Sequence, residues 1–346
     1  MKTYAAVLAS VITVVAILIG VFITKVSVLS SPERYFQKGK RYYELENYNE
    51  AINNLNEYLS IDSRSKPVSN VAESYFLVAD SLKKMKNYNL AKNRLSEIID
   101  GVGFEAYQLD AIIAYADIAR LENSADQYII TKLQNNLKPS DKSLASTINM
   151  QYGYQLFFEK KYGEALSYFL RSDGELAVLG RARVYFAMNE YDRAFEIYED
   201  FLKYYHTSIY YNEVVRTYLI QVPAIAHRMY VEKNYTKARM YYNKIASLFP
   251  RTKHQEEALF KIGESYYNEK NYNKAVEYFN KVRLNNVYTL DAEALLYIGL
   301  SYFKVGRYSD SYKALDTFVN TYPDNPNVSR AKDYMAALQE TLLAIN

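Results

Sequence analysis

Cysteine is absent from all 346 residues, and so is tryptophan. Without cysteine there are no disulfides, no thiolate metal ligands and no thiol nucleophile. That is compatible with an oxidising envelope compartment. Glycine and proline are scarce, 11 and 7 residues, which argues against an all-β fold punctuated by turns. Histidine is rarer still: His206, His227 and His254 are the only three. No two of them stand at metal-ligand spacing, and no H-E-x-x-H occurs. G-x-S-x-G, the P-loop and G-x-G-x-x-G are also missing. The net charge is only +3, from 42 basic and 39 acidic residues, so no basic stripe exists to hold nucleic acid. The chain offers no metal, no cofactor and no recognisable catalytic constellation, and its carboxylates read as a solvated face.

Apolar residues make up 49% of the chain and charged residues 23%, the balance of an ordered body. Between Lys2 and Lys25 there is no charge, and YAAVLASVITVVAILIGVFIT is apolar almost throughout. A run of roughly 20 apolar residues suffices to cross a bilayer core. A cleaved signal has a shorter apolar region and a small-x-small site, and this run is too long and lacks one. Residues 1–30 are therefore expected to form one transmembrane signal anchor. Lys25, Arg34, Lys38, Lys40 and Arg41 follow the span, against Lys2 before it. That count alone favours a cytoplasmic body. Most of the later charges belong to the first helix of the body, however, and long domains translocate largely regardless of charge. The expectation is an inner-membrane, single-pass protein with its body on the periplasmic side.

Tyrosine is abundant, 38 residues, and part of it keeps time. A Tyr followed three residues later by Ala occurs at Tyr48/Ala51, Tyr88/Ala91, Tyr162/Ala165, Tyr191/Ala194, Tyr235/Ala238 and Tyr272/Ala275, and with Ser at Tyr308/Ser311. Successive tyrosines are 40, 74, 29, 44, 37 and 36 residues apart. The 74 is twice 37, so a degenerate unit is expected between residues 106 and 139. Nine residues before each beat tyrosine stands a small residue: Gly39, Ala79, Gly153, Ala182, Ala226, Gly263 or Gly299. Six before it stands a bulky one, such as Tyr42, Leu82 or Tyr266, and seven after it another: Leu55, Leu95, Phe169, Tyr198, Tyr242, Phe279 or Leu315. These offsets place the marked residues on one side of each helix. The pattern predicts antiparallel helix pairs in which Gly or Ala admits the neighbouring helix and the large residues fill the remaining space. Polar turns such as Glu46-Asn47 and Lys270-Asn271 join the helices and read as solubility features. Pro250 and Pro323 end second helices. The short interval before Tyr191 implies clipped helices near Ser172–Glu175, and Pro223 implies a helix that starts or kinks there.

With this signature the chain resembles the tetratricopeptide repeat family over about residues 33–326. The resemblance implies an all-α, right-handed α-solenoid of helix–turn–helix units behind the transmembrane helix. The divisions expected are the anchor at 1–30, two units at 31–105, a degenerate helical unit at 106–145, units four to eight at 146–326, and a capping helix at 327–346. The phrases SLFPRTK and TYPDNPNVSRAKDYM, with the anchor, are similar to bacterial envelope proteins of this class: outer-membrane assembly and Tol-associated scaffolds, and collar proteins around periplasmic flagella.

The resemblance further implies that first helices line a concave face where partners bind. Six aromatics recur on that side five residues before the beat tyrosine: Tyr43, Phe157, Phe186, Tyr230, Tyr267 and Phe303. Phe36, Phe76 and Phe260 stand one or two turns earlier. Together these nine form an expected partner-binding groove, since rigid rings are favoured at interface cores. The alternative is that the same rings pack between units. Gly39, Ala51, Ala91, Gly153, Ala165, Ala194, Ala238, Gly263, Ala275 and Gly299 are the expected packing positions. The function expected is a membrane-anchored scaffold that binds proteins or peptides and assembles an envelope complex. Two rivals are a self-associating ring or collar subunit and a cell-wall enzyme.

Overall fold

The computed structural model describes residues 32–62, 66–285, 287 and 290–345. The expected anchor, residues 1–30, lies outside the described residues. Among the described residues no helix is long and apolar enough to cross a membrane. The described residues form seventeen α-helices and no strand. First helices of the hairpins are α1 (Pro32–Glu44), α3 (Val68–Lys84), α5 (Gln108–Leu121), α7 (Lys142–Phe158), α9 (Glu175–Ala187), α11 (Tyr211–Val231), α13 (Lys253–Asn268) and α15 (Asp291–Lys304). Second helices are α2 (Tyr48–Ser60), α4 (Tyr88–Ile99), α6 (Gln127–Asn135), α8 (Tyr162–Leu170), α10 (Tyr191–Tyr204), α12 (Tyr235–Leu248), α14 (Tyr272–Arg283) and α16 (Tyr308–Thr321), and α17 (Val328–Ile345) follows. The chain divides into two units at Ile197/Tyr198, within α10.

In the first unit each helix from α1 to α9 packs on the next. The first helices also touch one another, α1 with α3, α5 with α7 and α7 with α9. In the second unit α11 to α17 pack in series, and α11 touches α13. The core is one apolar cluster per run of hairpins, as stacked repeats require. In the four hairpins that place a beat-spaced glycine in the first helix, that glycine meets the bulky residue of the second. A Cβ placed on Gly39 would lie 2.5 Å from Leu55 Cγ, one on Gly263 2.7 Å from Phe279, and one on Gly299 2.7 Å from Leu315. Gly153 and Gly180 face the same Phe169 ring, at 3.0 and 2.5 Å. The beat alanines are fully buried. In the last hairpin Ser311 takes that place and donates to the Gly299 carbonyl, 2.8 Å away.

The bulky residues six before the beat behave differently from expectation. Only Leu82 and Leu156 are buried. Tyr185, Tyr266 and Tyr302 are half-buried, each under a guanidinium, from Arg193 at 5.5 Å, Arg239 at 4.1 Å and Arg307 at 4.3 Å. A phenol ring with an arginine laid over it seals the hairpin edge and keeps its hydroxyl near water.

The turn residues have a geometric role that the solubility reading missed. Two residues before each beat tyrosine the backbone is left-handed: Glu46, Lys86, Lys160, Asn189, Lys233, Lys270 and Gly306, with φ between 58° and 76°. At each the next amide donates five residues back, as in Asn47 N to Tyr42 O and Asn271 N to Tyr266 O, and the left-handed residue donates three back, as in Glu46 N to Tyr43 O. This paired arrangement, the Schellman motif, satisfies carbonyls that a helix end otherwise orphans. The residue between is the N-cap of the next helix, and Asn47, Asn234 and Asn271 accept from amides three residues on, at 3.3–3.4 Å.

The degenerate unit is the hairpin α5/α6. Asn123 has the same left-handed φ, 53°, and Ser124 N reaches Ala119 O. Two additional residues then precede the Asp126 cap of α6, and Gln127 and Ile130 stand where other hairpins have the Tyr and Ala of the beat. The clipped helix is α8, nine residues long, followed by Gly174 at φ +91°. Pro223 does not start a helix: α11 runs through it for 21 residues. Proline removes one backbone hydrogen bond. Burial of Val214, Tyr218, Val222, Ile225 and Ala226 offsets that loss, helped by Tyr218 donating to Glu199 at 2.8 Å. The capping helix α17 buries Ala331 and Leu338 and sets Tyr334 edge-on to Phe303, 5.2 Å between ring centres.

These contacts separate two helical glycines. Gly163 has open space where a Cβ would stand, while the Phe279 ring beneath Gly263 is held by Phe260 and Tyr297 at 5.3 and 5.2 Å. Gly163→Ala is expected to stabilise by about 0.5–1 kcal/mol. Gly263→Ala is expected to destabilise by about 1–3 kcal/mol despite the same helical gain. Thermal melts that move in the same direction for both would refute this account of hairpin packing.

Candidate protein-binding face

The first-helix face is built from residues 12, 8 and 5 before each beat tyrosine. The six rings at the last of these positions do not form a free aromatic stripe. Each packs against the beat tyrosine of its own hairpin: Tyr43 on Tyr48 at 6.1 Å, Phe157 on Tyr162 at 5.6 Å, Phe186 on Tyr191 at 5.3 Å, Tyr230 on Tyr235 at 5.4 Å, Tyr267 on Tyr272 at 5.3 Å and Phe303 on Tyr308 at 6.0 Å. Most of these pairs are edge-to-face or tilted, the arrangement that aromatic quadrupoles favour. The rings clamp the turn first, and only their outer faces remain for a partner. Phe303 loses part of that to Tyr334. Phe36 is 2% exposed, lies 5.2 Å from the Tyr58 ring, and is a core residue rather than a groove residue. Phe260 is 6% exposed and held between Phe279 and Tyr297, so it too is core, although one edge reaches a cleft.

Two clefts open on this face. In the first unit, about 260 Å³ is lined by Tyr43, Phe76, Leu77, Ala79, Asp80, Lys83, Leu95, Ala114 and Ile118. Tyr43 and Phe76 are thus the two expected groove residues that come together here. The polar groups of this cleft already satisfy one another. Tyr43 donates to Asp80 Oδ2 at 2.6 Å, Lys83 reaches Asp80 at 2.9 Å and Asp117 at 3.8 Å, and Arg120 holds Asp117 at 2.6 Å. Burial, and then the bond to Asp80, push the Tyr43 hydroxyl up to about 12. Burial alone raises a carboxyl, but the hydrogen bonds from Tyr43 and Lys83 outweigh it and hold Asp80 below its ordinary value.

In the second unit a larger cleft, about 400 Å³, lies between α11 and α13. Its walls are Pro223 and His227 of α11 and His254, Glu257, Ala258, Phe260 and Lys261 of α13, with Tyr242 and Ile245 of α12 and Leu290 completing it. Lys261 is paired with Glu264 at 2.7 Å. The Tyr242 ring is 4% exposed, and its hydroxyl has no hydrogen-bonding partner among the described residues. Burial, then the charge of Glu264, raise its ionisation. Tyr230, at the rim, accepts from Asn268 at 2.6 Å, and burial followed by Glu264 raises it to about 12. The cleft thus combines apolar walls with the hydroxyl of an otherwise buried tyrosine, the combination typical of ligand pockets.

Sequence spacing marked Tyr242 as a packing residue and did not mark His254 or Leu290. The signal for Tyr242 was its type: a Tyr where all other hairpins but that of Tyr198 have Leu or Phe brings a polar end that must go somewhere. His254 and Leu290 sit at a helix start and in a loop between hairpins, outside any periodic position. Among the described residues no group of three or more His, Asp or Glu could hold a metal ion.

The comparisons with known proteins concern the same hairpins. Residues 176–208, 257–286 and 293–325 match one family model described as tetratricopeptide repeat, and residues 32–65 match a second so described. These stretches cover α9/α10, α13/α14, α15/α16 and α1/α2. No curated protein matches the chain in sequence. Solved structures that align with it include a tetratricopeptide repeat protein from Parabacteroides merdae ATCC 43184, at 13% identity over 78% of this chain and 98% of that one, with a TM-score of 0.36. Another is the TPR2AB domain of yeast Sti1 in its pHSP90 complex, at 12% identity over 89% and 98%, with a TM-score of 0.31.

The Tyr43–Asp80 bond has a pH signature. Asp80 is lowered on folding, so its contribution is present above its ordinary value near 3.8 and lost as pH falls through the lower folded value. Tyr43 is raised, so its contribution is complete below pH 10 and lost as pH rises through about 12. Tyr43→Phe is expected to cost about 1 kcal/mol at neutral pH, with the deficit vanishing at both extremes. A deficit that stays constant from pH 3 to pH 11.5 in thermal melts would disprove the bond's contribution.

Proposed function

Because hairpins of this chain are tetratricopeptide repeats, a fold that serves protein–protein interaction, we propose that the chain is a scaffold that holds a partner protein on its first-helix face. The observation that carries this reading is the cleft between α11 and α13, apolar-walled and lined by Tyr242, whose side chain is otherwise buried. Its capacity of about 400 Å³ suits one or two large side chains of a peptide. The cleft of the first unit is a weaker candidate, since its carboxylates and cations already neutralise one another.

The proposal extends to the membrane. The uncharged stretch between Lys2 and Lys25 supports a retained anchor, which would tether the scaffold to the inner membrane with its repeats on the periplasmic side, where it would assemble an envelope complex. Repeat scaffolds of this class act by binding, and no catalytic role is assigned to any residue.

Two measurements test these readings. A photo-reactive benzoylphenylalanine in place of the exposed His227 should cross-link one identified protein in cells, while the same group at exposed Asn243, on second helix α12, should not. Adducts at Asn243 equal to those at His227 would remove the first-helix face as the binding surface. The chain has no native cysteine, so Ser31→Cys gives a single reporter. A membrane-impermeant maleimide is expected to label it in cells whose outer layers are permeable. Labelling only after lysis would place the repeats in the cytoplasm instead.

A further inference from the structure

The α11–α13 cleft is bounded by rings that other rings already hold. Phe260 lies between Phe279 and Tyr297 at 5.3 and 5.7 Å, its contact with Tyr297 edge-to-face. Tyr242, 4% exposed, lines the same cleft beside Ala258. His227 of α11 and His254 of α13 stand on the two helices that form its sides. His227 is nearly parallel to Tyr230, 6.4 Å between ring centres, and His254 is edge-on to Phe249 at the same distance. Held rings around a hollow favour a flat, rigid occupant, because ring–ring contact adds to the area that it buries.

The polar groups at hand are mostly acceptors. A helical carbonyl points along the axis toward the residue four on, and for Leu219 that residue is Pro223, part of the cleft wall. Pro223 has no N–H, so the Leu219 carbonyl lacks its helical donor on the side of α11 that faces the cleft. Glu257 brings a carboxylate whose pair with Lys253 is long, 3.6 Å, and exposed, and such pairs hold weakly. Lys261, the lysine of the lining, is bound to Glu264 at 2.7 Å. An anion would therefore meet a carboxylate and a lysine already neutralised. An aliphatic or phenyl side chain would cover the Leu219 carbonyl without giving it a donor, which is costly.

The occupant that meets these conditions is a flat ring, apolar on its faces and a donor at its edge. Among aromatic side chains the indole of tryptophan donates without accepting. We infer that the α11–α13 cleft binds a tryptophan side chain of a partner protein, with its faces against Phe260 and the two imidazoles and its N–H toward the Leu219 carbonyl. Pro223 is then part of the binding site: by withholding an amide from Leu219 it leaves that carbonyl for the partner. This deepens the scaffold reading, on which it rests, by naming the residue that the partner inserts.

The chain has no tryptophan of its own, so fluorescence excited beyond the tyrosine absorption reports a tryptophan ligand alone. The full chain in detergent micelles would be titrated with N-acetyltryptophanamide, and the tyrosine and phenylalanine amides would compete. A saturable blue shift is expected, with a Kd about fivefold lower for tryptophan than for phenylalanine, the effect of one net hydrogen bond. Pro223→Ala returns an N–H to Leu219 and suits a helix interior. That variant should keep the affinity for the phenylalanine amide and abolish the preference for tryptophan. A preference that survives Pro223→Ala, equal affinity for the three amides, or no saturable shift would each overturn the inference. Free tryptophan that binds more tightly than a tryptophan flanked by alanines in a capped peptide would reveal a small-molecule site, and would overturn it too. If His227 cross-links a partner while these titrations fail, the scaffold reading stands and only the inserted tryptophan is removed.

Discussion

Everything in the repeat array depends on how closely two helices approach within a hairpin. At Gly39, Gly263 and Gly299 a single added carbon would stand 2.5–2.7 Å from the side chain opposite, well inside van der Waals contact. That closeness lets Leu55, Phe279 and Leu315 be fully buried. It also brings the beat residue of the second helix against the first, where only Ala, or a Ser able to reach a carbonyl, fits. A larger residue at either place would part the helices and open the core of the next hairpin too, because neighbouring units share it. Phe169, wedged between Gly153 and Gly180, shows one side chain serving two hairpins.

Close approach demands a tight turn, and the turns meet that demand at some cost. Seven hairpins end their first helix with a non-glycine residue in the left-handed region, four of them lysine. Such a conformation costs about 1–2 kcal/mol for a residue with a Cβ. What holds it is the paired backbone bonding of the motif and the capped start of the following helix. Gly306 alone makes the turn without that strain. The aromatic clamp over six of the eight turns, one ring from each helix, adds a side-chain contact across the same bend.

Function is then built from what the hairpins leave over. The rings that a spacing argument assigns to a partner are mostly committed to the beat tyrosines, and Phe36 and Phe260 are committed to the core. The free capacity lies where the pattern is irregular. α11 is overlong and carries Pro223 in its middle, and Tyr242 occupies a place where most other hairpins put Leu or Phe. Around these departures the second unit has a cleft. In the first unit, cross-hairpin pairs such as Lys40–Glu73 and Tyr43–Asp80 tie neighbouring first helices together instead.

The helix pairs, their order and their contact residues were legible because they follow from local periodicity. A Gly nine before the beat and a Leu or Phe seven after it can meet only in an antiparallel hairpin, so spacing alone named both partners of each contact. The hidden unit was legible as an interval, though not in detail, since Gln127 and Ile130 replace the Tyr and Ala of its beat. What spacing could not decide was which side of a ring is occupied. A ring five residues before the beat looks the same in sequence whether it faces a partner or its own hairpin, and only the meeting of two helices through a left-handed turn puts it against the beat tyrosine. Nor could spacing join His227, Tyr242, His254 and Leu290, which come from three helices and a loop. Periodicity describes neighbours along a helix, whereas a cleft is made by side chains of different helices, and their proximity exists only once the hairpins are stacked.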